Sequence, residues 1–437
     1  MDLLIKNGMI LTMNAELQII EKGAVRIRDG VIMSVGTDVA DCSHDAQTRE
    51  IDAQGGIIMP GLINSHTHAA MTLFRGLADD LPLMEWLNDH IFPAESRITA
   101  DMVYRGTLLA CAEMLLSGTT CFCDMYLFEK EVAKAAAQVG MRAVVGEVLY
   151  DFPSPCYGPL DKGFEYVSTM MEKWKDHPLI TVAVEPHSTY TCAPELLKKA
   201  ADMARTQQVP LVIHVAETRT EVKLIEEKYG KTPVKFLADL GVLGPNMVAC
   251  HSVHLTPEER TLYRQFDVKV VHCPESNMKL ASGVAPVPEF LSEGICVALG
   301  TDGCASNNDL DLFLEMDSAA KLHKVFSMNP EAVDATTAVQ MATINGAKAL
   351  GLDGIIGSLE PGKRADIIVL DTRSPHMVPM YNPYSQLVYA AKGSDVITSI
   401  VDGKVLMENR NLTTLNVDQV MDDVLAIAKD IAAGDAA

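Results

Sequence analysis

Histidines and one aspartate end several apolar runs in the middle of this 437-residue chain. His66 and His68 stand two residues apart, so both imidazoles face the same side if this segment is a strand. His214 closes the run Pro-Leu-Val-Ile-His, and Asp302 ends the run Ala-Leu-Gly-Thr-Asp. Imidazole nitrogens suit Zn²⁺ or Fe²⁺, and a carboxylate can complete the ligand set. We therefore predict that these four residues hold one metal ion and leave a position for water, as catalytic sites do.

Two further residues are predicted to transfer protons. Glu217 follows His214 by three residues and begins the loop after that run, so its carboxyl can lie above the metal as a general acid or base. His251 ends the run Met-Val-Ala-Cys-His and can hydrogen-bond the water, whereas His272 is a weaker candidate one residue inside its run. A core or capping role is the alternative for each residue taken singly. Four candidate ligands at matching positions argue against that alternative for the set.

A repeated pattern in the middle of the chain can bring these residues together. Between about residues 58 and 356, short apolar runs alternate with helical stretches, as in a parallel sheet. The eight runs are Ile58–His66, Gly118–Tyr126, Arg142–Tyr150, Ile180–His187, Leu211–Ala216, Met247–His254, Val268–Cys273 and Val297–Asp302. Eight such units favour a closed (β/α)₈ barrel of TIM type over an open doubly wound sheet. The strand ends of such a barrel meet at one mouth.

Both ends of the chain have the alternation of antiparallel β-structure. Asp29-Gly30 and Asp402-Gly403 each lie between two alternating runs, and Asn7-Gly8 is a third hairpin signal. Because segments so far apart share one pattern, we predict that both termini build one small β-domain.

The predicted fold is therefore α/β, with a TIM-type barrel and a small β-sandwich domain formed by the termini. We assign residues 1–57 to the first part of the sandwich, 58–356 to the catalytic barrel, and 357–437 to the second part and a terminal helix. After Asn416, apolar residues recur every three or four positions, and this helix is expected to pack on the body.

Composition excludes several classes of function. Lys and Arg number 36 against 58 Asp and Glu, and the net charge of −22 disfavours nucleic acid and membrane surfaces as partners. Lys6 interrupts the N-terminal apolar stretch and no run reaches about 18 apolar residues, so secretion and membrane insertion are disfavoured. The ten cysteines form no C-x-x-C pair, which favours reduced thiols in a cytoplasmic protein. We expect a homo-oligomer with a small-molecule substrate.

Five motifs occur in order along nearly the whole chain. They are Met59-Pro-Gly-Leu-Ile-Asn-Ser-His-Thr-His68, His214-Val-Ala-Glu-Thr218, Cys250-His-Ser-Val-His-Leu255, Leu299-Gly-Thr-Asp-Gly303 and Gly357-Ser-Leu-Glu-Pro-Gly-Lys-Arg-Ala-Asp366. Together they resemble the amidohydrolase superfamily and, more narrowly, its 5-methylthioadenosine/S-adenosylhomocysteine deaminases. The resemblance implies one zinc ion per subunit, with Fe²⁺ as the alternative metal. It also implies the ligands His66, His68, His214 and Asp302, with Glu217 and His251 as proton-transfer residues.

The resemblance further implies a nucleoside site. The segment from Trp86 to Glu95 is similar to the family's substrate loop, in which Glu95 would bind the ribose hydroxyls and Trp86 would pack over the sugar. His187 would add a hydrogen bond to the nucleoside, and Ser306 is a weaker candidate for the same site. Binuclear relatives carry a bridging carbamylated lysine on a central strand. The third and fourth runs contain no lysine, so one metal is expected.

The implied reaction is hydrolytic deamination of an adenine nucleoside at C6, which yields the inosine analogue and ammonia. Zn²⁺ would lower the pKa of water to about 7, Asp302 and His251 would orient that water and accept its proton, and Glu217 would protonate N1. Two alternatives stay open. The same site could act on guanine, cytosine or a chlorotriazine, or the chain could be a non-catalytic scaffold on this fold.

One departure from the family pattern concerns the 5′-substituent. Relatives that accept the amino-acid tail of S-adenosylhomocysteine can use an arginine near the end of the third run, where this chain has Glu147. A carboxylate there would repel the substrate carboxylate, and Arg142 lies nearer the start of the run. We therefore rank 5′-methylthioadenosine, 5′-deoxyadenosine and adenosine above S-adenosylhomocysteine, and the preferred substituent stays open.

Overall fold

A computed structural model describes residues 2–37, 39, 48–81 and 85–434. In chain order the strands of these residues are β1 (Asp2–Leu11), β2 (Ile19–Arg28), β3 (Val31–Gly36), β4 (Arg49–Asp52), β5 (Ile57–Pro60), β6 (Leu62–His68), β7 (Thr119–Tyr126), β8 (Arg142–Leu149), β9 (Ile180–Val182), β10 (Glu185–Pro186), β11 (Leu211–Val215), β12 (Met247–His251), β13 (Lys269–His272), β14 (Val297–Leu299), β15 (Asp302–Gly303), β16 (Ile367–Leu370), β17 (Val396–Val401), β18 (Lys404–Glu408) and β19 (Asn411–Leu412).

Helices follow most of the barrel strands. The α-helices are Phe92–Glu95, Ala100–Leu116, Glu129–Val139, Leu160–Trp174, Pro194–Gln207, Arg219–Tyr229, Pro233–Asp239, Pro257–Phe266, Pro274–Lys279, Val287–Ser292, Leu312–Ser327, Ala335–Met341, Ile344–Ala349, Pro383–Tyr389 and Val417–Gly434. Short 3₁₀ turns lie at Ala69–Phe74, Pro375–Met377 and Gly393–Asp395, and Trp86–Ile91 is a π-helix.

Strands β6 to β15 form the closed parallel barrel that the sequence predicts. Strands β6, β7 and β8 pair in parallel, β8 pairs with β9 and β10, and β11 to β14 continue the ring. Parallel bridges at Val184–Leu211 and Ser188–His214 connect the fourth barrel strand, β9 with β10, to the fifth, β11. Strand β15 pairs with β6 and closes the ring. Residues of these strands are buried on both faces, as a sheet covered by helices requires.

The first predicted run, Ile58–His66, is not one strand. Residues Ile57–Pro60 pair with β1 and β16 in the terminal sheet, and the barrel strand begins at Leu62. Gly61 stands at the crossing, where a Cβ atom would lie 2.0 Å from Thr120 Oγ1. A residue with a side chain could not let the chain pass from one sheet into the other at this point.

The terminal strands form one nine-stranded sheet, in which β5 joins β1 to β16. Along β16, Ile368 and Leu370 pack into the barrel core, whereas Ile367 and Val369 pack into a second core with residues of β1 and β2. Both termini thus build one β-structure, as predicted. The boundaries at residues 57/58 and 356/357 stay a prediction.

Two of the three hairpin signals are turns, and one is not. Asp29-Gly30 connects β2 to β3 and Asp402-Gly403 connects β17 to β18, with positive φ at all four residues. The hairpin prediction at Asn7-Gly8 is wrong, because both residues lie inside β1 at an irregularity of its pairing with β2. A Cβ atom on Gly8 would lie 2.7 Å from the side chain of Ile58, so the glycine serves close packing there.

The terminal helix packs on the body. Asn416 Oδ1 accepts a hydrogen bond from the Gln419 N–H at 3.2 Å, and Val420 and Val424 are buried against the helix Ala100–Leu116. In the parts of the chain that the structure describes, no helix is long and apolar enough to cross a membrane. The nine cysteines described there are free, and Cys42 lies outside these parts. Cytoplasmic location stays a prediction.

A buried ion pair connects the barrel to the terminal sheet. Arg142, the first residue of β8, donates from Nε and Nη2 to the two carboxylate oxygens of Asp366 at 2.7 and 3.0 Å. The two side chains are 5% and 2% exposed. Asp366 also accepts the backbone N–H of Asp402, so this carboxylate orders the β17–β18 turn as well.

Arg142→Met should destabilise the protein by about 3–5 kcal/mol, because it leaves the Asp366 charge buried without its cationic partner. The free energy of unfolding in urea measures this loss. Lys162→Met is the matched control, since its ion pair with Glu165 is exposed, and it should change stability by less than about 0.5 kcal/mol. Arg142→Met with Asp366→Leu should recover part of the loss. An unfolding free energy of Arg142→Met equal to that of the control would contradict the prediction.

Candidate metal centre and substrate cavity

The barrel brings the four predicted ligands to one point. His66 and His68 come from β6, His214 comes from β11, and Asp302 begins β15. One ligand atom from each residue lies within 4.8 Å of all the others. His66 is fully buried, and His214 and Asp302 are 7% and 6% exposed, so the cluster lies at the bottom of its cavity.

Hydrogen bonds to backbone carbonyls fix the orientation of two imidazoles. His68 Nδ1 donates to Met125 O, and His214 Nδ1 donates to His187 O at 2.6 Å. When these rings are neutral, their Nε2 lone pairs point toward the centre. His214 Nε2 lies 3.1 Å from His66 Nε2, and His68 Nε2 lies 3.0 Å from Asp302 Oδ1. Lone pairs this close repel unless a proton or a cation lies between them, so the donor set fits a metal ion.

The protonation of the cluster follows from burial and from one carboxylate. Burial lowers the pKa of His66 to about 4. Burial acts in the same direction on His68, but the hydrogen bond and the charge of Asp302 outweigh it and raise the pKa of His68 to about 9. A metal ion would therefore displace a proton from His68 when it binds near neutral pH.

Two site residues adopt backbone conformations that are rare for residues other than glycine. His251 has φ of 67° and Asp302 has φ of 62°. Gly300 lies two residues before Asp302, at a position where a Cβ atom would approach His66 to 2.9 Å, so only glycine fits there. Unfavourable conformations of this kind concentrate at functional sites, where the surrounding structure holds them.

Serine hydroxyls orient the Asp302 carboxylate. Ser276 Oγ and Ser306 Oγ lie 2.7 and 2.8 Å from Asp302 Oδ2, and both donate to it. Oδ1 is thereby left facing the imidazoles. Ser306 also lines the cavity. Its contact with a substrate stays a prediction, whereas its hydrogen bond to Asp302 is present in the structure.

Glu217 lies beside the metal cluster in a hydrogen-bond network that the sequence did not predict. Ser282 Oγ donates to Glu217 Oε1 at 3.0 Å, and the Glu217 N–H donates to Glu221 Oε2 at 2.9 Å. Glu221 Oε1 in turn accepts from Thr189 Oγ1 at 2.7 Å. Burial raises the pKa of Glu217 above its usual range, so its acid form is favoured. These contacts hold the carboxyl in one position.

His251 faces the same space as Glu217. Its Nε2 lies 3.9 Å from Glu217 Oε2, and its Nδ1 lies 3.0 Å from the side-chain amide of Asn277. His254 does not reach the cluster, because its Nε2 donates to Ser282 O at 2.8 Å. His254 thus supports the loop that carries Ser282.

The cavity above the cluster contains the predicted nucleoside-binding residues. Trp86 lies in the π-helix Trp86–Ile91 and is 5% exposed, and the half-buried Glu95 ends the next helix. Burial raises the pKa of Glu95 to about 7. His187 follows β10, and its Nδ1 contacts Thr191 Oγ1 at 2.9 Å. All of these side chains line one cavity with Glu217, His251 and Asp302.

Several lining residues were not predicted. Tyr126 ends β7, and Tyr150 follows the end of β8, so the rule that singled out the histidines could have found both. Phe92 and Phe152 also line the cavity, but only the path of their loops brings them there. Glu221 gives no sequence signal beyond its position four residues after Glu217 on a helix.

Two residues with predicted or considered roles lie away from the cavity. His272 Nε2 contacts His323 Nε2 at 3.0 Å in the core and does not join the cluster. Glu147 is fully buried and accepts the backbone N–H groups of Phe128 and Glu129 at 3.3 and 2.8 Å, at the start of a helix. It does not line the cavity. The expectation that its charge would repel a substrate carboxylate stays a prediction.

Comparison with known proteins agrees with the fold. Residues 57–406 match the model of the amidohydrolase family. A 5-methylthioadenosine/S-adenosylhomocysteine deaminase from Syntrophobacter fumaroxidans is 56% identical over 98% of both chains. A 5′-deoxyadenosine deaminase from Methanosarcina mazei is 46% identical over 99% of both chains.

Solved structures share the whole architecture. An adenosine deaminase from Xanthomonas campestris with bound zinc superimposes with a TM-score of 0.96 at 38% identity, over 99% of both chains. The atrazine chlorohydrolase TrzN from Arthrobacter aurescens, at 23% identity, has the same fold with a TM-score of 0.92 over 98% of this chain and all of that one. The match to the family model over residues 57–406, the high identity of the relatives and the shared barrel show that the present protein belongs to the amidohydrolase family.

Proposed function

We propose that this protein is a zinc-dependent deaminase of adenine nucleosides, which hydrolyses the C6–N bond to give the inosine analogue and ammonia. The observation that carries the proposal is the position of Glu217. Its carboxyl, with a raised pKa, lies beside His251 and above four convergent metal ligands, in a cavity that also holds Trp86 and Glu95. The names of the two relatives at 56% and 46% identity support the same substrate class.

We assign the metal to His66, His68, His214 and Asp302, with Zn²⁺ favoured over Fe²⁺. Three nitrogen donors and one carboxylate suit Zn²⁺, and the Xanthomonas relative binds zinc. A bound Zn²⁺ supplies Lewis acidity, which makes water nucleophilic near neutral pH.

The chain's own residues divide the proton transfers. Glu217 donates a proton to N1 of the purine, which makes C6 electrophilic, and burial keeps its acid form available. His251 and Asp302 orient the attacking water and take up its proton, since both face the space beside Glu217. The amino group at C6 then takes up the proton that His251 or Asp302 had accepted and leaves as ammonia, while the C6 hydroxyl returns a proton to Glu217 and becomes the carbonyl of the inosine analogue.

The remaining predicted residues bind the sugar. Glu95 would accept hydrogen bonds from the ribose hydroxyls, Trp86 would pack over the ring, and His187 and Ser306 would contact the nucleoside. A carboxylate and an indole above the metal cluster favour a ribose-bearing substrate over free guanine, cytosine or a chlorotriazine. The complete set of ligands argues against a non-catalytic scaffold. A homo-oligomer stays a prediction.

The purified protein should contain about one zinc ion per chain, and His214→Ala should lose most of it, because three of the four ligands hold a metal more weakly. Elemental analysis after dialysis measures the stoichiometry. His272→Ala is the matched control, since His272 is also a buried histidine at a strand end and lies outside the cluster. Equal metal content in the two variants would refute the assigned ligand set.

Glu217→Gln should lower kcat by about 10²–10⁴-fold while the metal stays bound, because an amide cannot donate the proton to N1. Ammonia release from adenosine measures the rate, and elemental analysis measures the metal. Glu226→Gln, on the exposed side of the following helix, should have no effect. Turnover near that of the unaltered protein in Glu217→Gln would overturn the mechanism.

Ser282→Ala should move the high-pH limb of kcat/KM to higher pH. The Ser282 hydroxyl stabilises the ionised form of Glu217 and so lowers the pKa of its carboxyl, against the larger effect of burial. Removing this donor raises the pKa, and the acid form then persists to higher pH. Ser282→Thr keeps the hydroxyl and should keep the limb in place. A limb that stays unchanged or moves to lower pH in Ser282→Ala would contradict the assigned role of Glu217.

A further inference from the structure

Aromatic rings form the outer wall of the substrate cavity on the side of β8. Tyr150 and Phe152 stack with ring centroids 3.9 Å apart and an interplanar angle of 13°. Phe92, from the helix after Trp86, meets Phe152 edge to face with centroids 6.4 Å apart. Phe152 is 44% exposed, whereas His66, His214 and Asp302 below are buried. These three residues, the aromatic rim, therefore lie between the metal cluster and solvent.

Apart from its histidines, the side chains of the cavity lining that can carry a charge near neutral pH are carboxyl groups. Among the described lining residues they are Glu95, Glu217, Glu221 and Asp302, and none is Lys or Arg. Residues 82–84, which lie outside the described parts, are Pro-Leu-Met and carry no charge. An anionic substituent in this cavity would lose hydration without gaining a cationic partner.

The basic residue of the third barrel strand cannot supply that partner. Arg142 lies at the start of β8, the end far from the cavity, and its guanidinium is paired with Asp366. Glu147, nearer the cavity end, points to the backbone of a neighbouring helix. The selection of the 5′-substituent thus depends on the aromatic rim and on the absence of a cation among the described lining residues.

We propose that the aromatic rim restricts this enzyme to adenine nucleosides with a small, uncharged 5′-substituent. Phe92, Tyr150 and Phe152 contact a methylthio or methyl group, since thioether sulfur and alkyl carbon pack favourably against aromatic rings. The carboxylate of an amino-acid tail, or a 5′-phosphate, is rejected by the same surface. This inference rests on the proposed deaminase function and assigns its specificity to residues outside the metal cluster.

The first test compares kcat/KM of the zinc-loaded protein for five adenosine derivatives that differ in the 5′-substituent. We expect 5′-methylthioadenosine and 5′-deoxyadenosine to exceed S-adenosylhomocysteine by about 100-fold or more, since an unpaired polar group in a binding site discriminates strongly. We also expect 5′-amino-5′-deoxyadenosine to exceed adenosine 5′-monophosphate, because the acidic cavity tolerates a cation better than an anion. If S-adenosylhomocysteine is used as well as 5′-methylthioadenosine, this inference fails while the deaminase function stands. If no nucleoside releases ammonia, the proposed function itself fails.

Variants of Phe152 separate charge from space. Phe152→Arg should raise kcat/KM for S-adenosylhomocysteine and lower it for 5′-methylthioadenosine, so that their ratio shifts by at least about 10-fold. Phe152→Ala opens the same space without adding a charge, and kcat/KM for S-adenosylhomocysteine should stay low in this variant. Val325→Arg adds the same charge at an exposed site outside the cavity and should leave every rate unchanged. The proposal is overturned if Phe152→Ala raises kcat/KM for S-adenosylhomocysteine as much as Phe152→Arg does. It is also overturned if neither variant changes the ratio of kcat/KM between S-adenosylhomocysteine and 5′-methylthioadenosine, because the rim then does not select by charge.

Discussion

The crowding of four candidate metal-binding side chains at the bottom of the barrel is the constraint on which the site depends. Ring closure brings His66 Nε2 to 3.1 Å from His214 Nε2, and His68 Nε2 to 3.0 Å from Asp302 Oδ1, and a proton or a cation has to lie in each of these contacts. Carbonyl acceptors hold the outer nitrogens of two of these rings, so the rings cannot turn their lone pairs away without losing hydrogen bonds. A bound cation would take the place of the proton that His68 otherwise holds against Asp302, so metal binding and protonation are coupled at this point.

The backbone around the cluster is adapted to this crowding. Positive φ angles at His251 and Asp302 direct their side chains into the mouth, and Gly300 lets the eighth strand position approach His66. The hydroxyls of Ser276 and Ser306 then fix the Asp302 carboxylate. Each of these features costs conformational freedom or strains the chain, and the rigid ring of strands is what can hold them.

The sequence predicted the parts of the structure that follow from local pattern and strand direction. Polar residues at the ends of apolar runs predicted a cluster of four candidate metal ligands, which lie together because a parallel barrel brings strand ends to one mouth. Asp29-Gly30 and Asp402-Gly403 predicted turns because their φ preferences are intrinsic. Asn7-Gly8 failed as a hairpin signal because the side chain of Ile58, far away in the sequence, requires a glycine beside it inside a continuous strand.

Glu147 shows a second limit of reading a sequence. The sequence correctly placed Glu147 on the third barrel strand. The direction of its side chain, however, depends on a helix whose first N–H groups need an acceptor. The contacts around Glu217 could not be predicted either, because Ser282 lies 65 positions away and Glu221 on a helix face that strand patterns do not describe.

The division between barrel and loops explains why chemistry and substrate can vary separately in this architecture. The candidate metal ligands lie on strands whose positions are fixed by the closed ring, whereas Phe92, Phe152 and Trp86 lie on segments after β6 and β8 that the ring does not constrain. The atrazine chlorohydrolase shares this fold at 23% identity, while relatives named for adenine nucleosides are much more similar. A change in the loops can therefore alter the wall that a substrate meets without moving the ligands. By the same reasoning, a metal cluster predicts the class of reaction, and the substrate has to be argued from the residues that surround it.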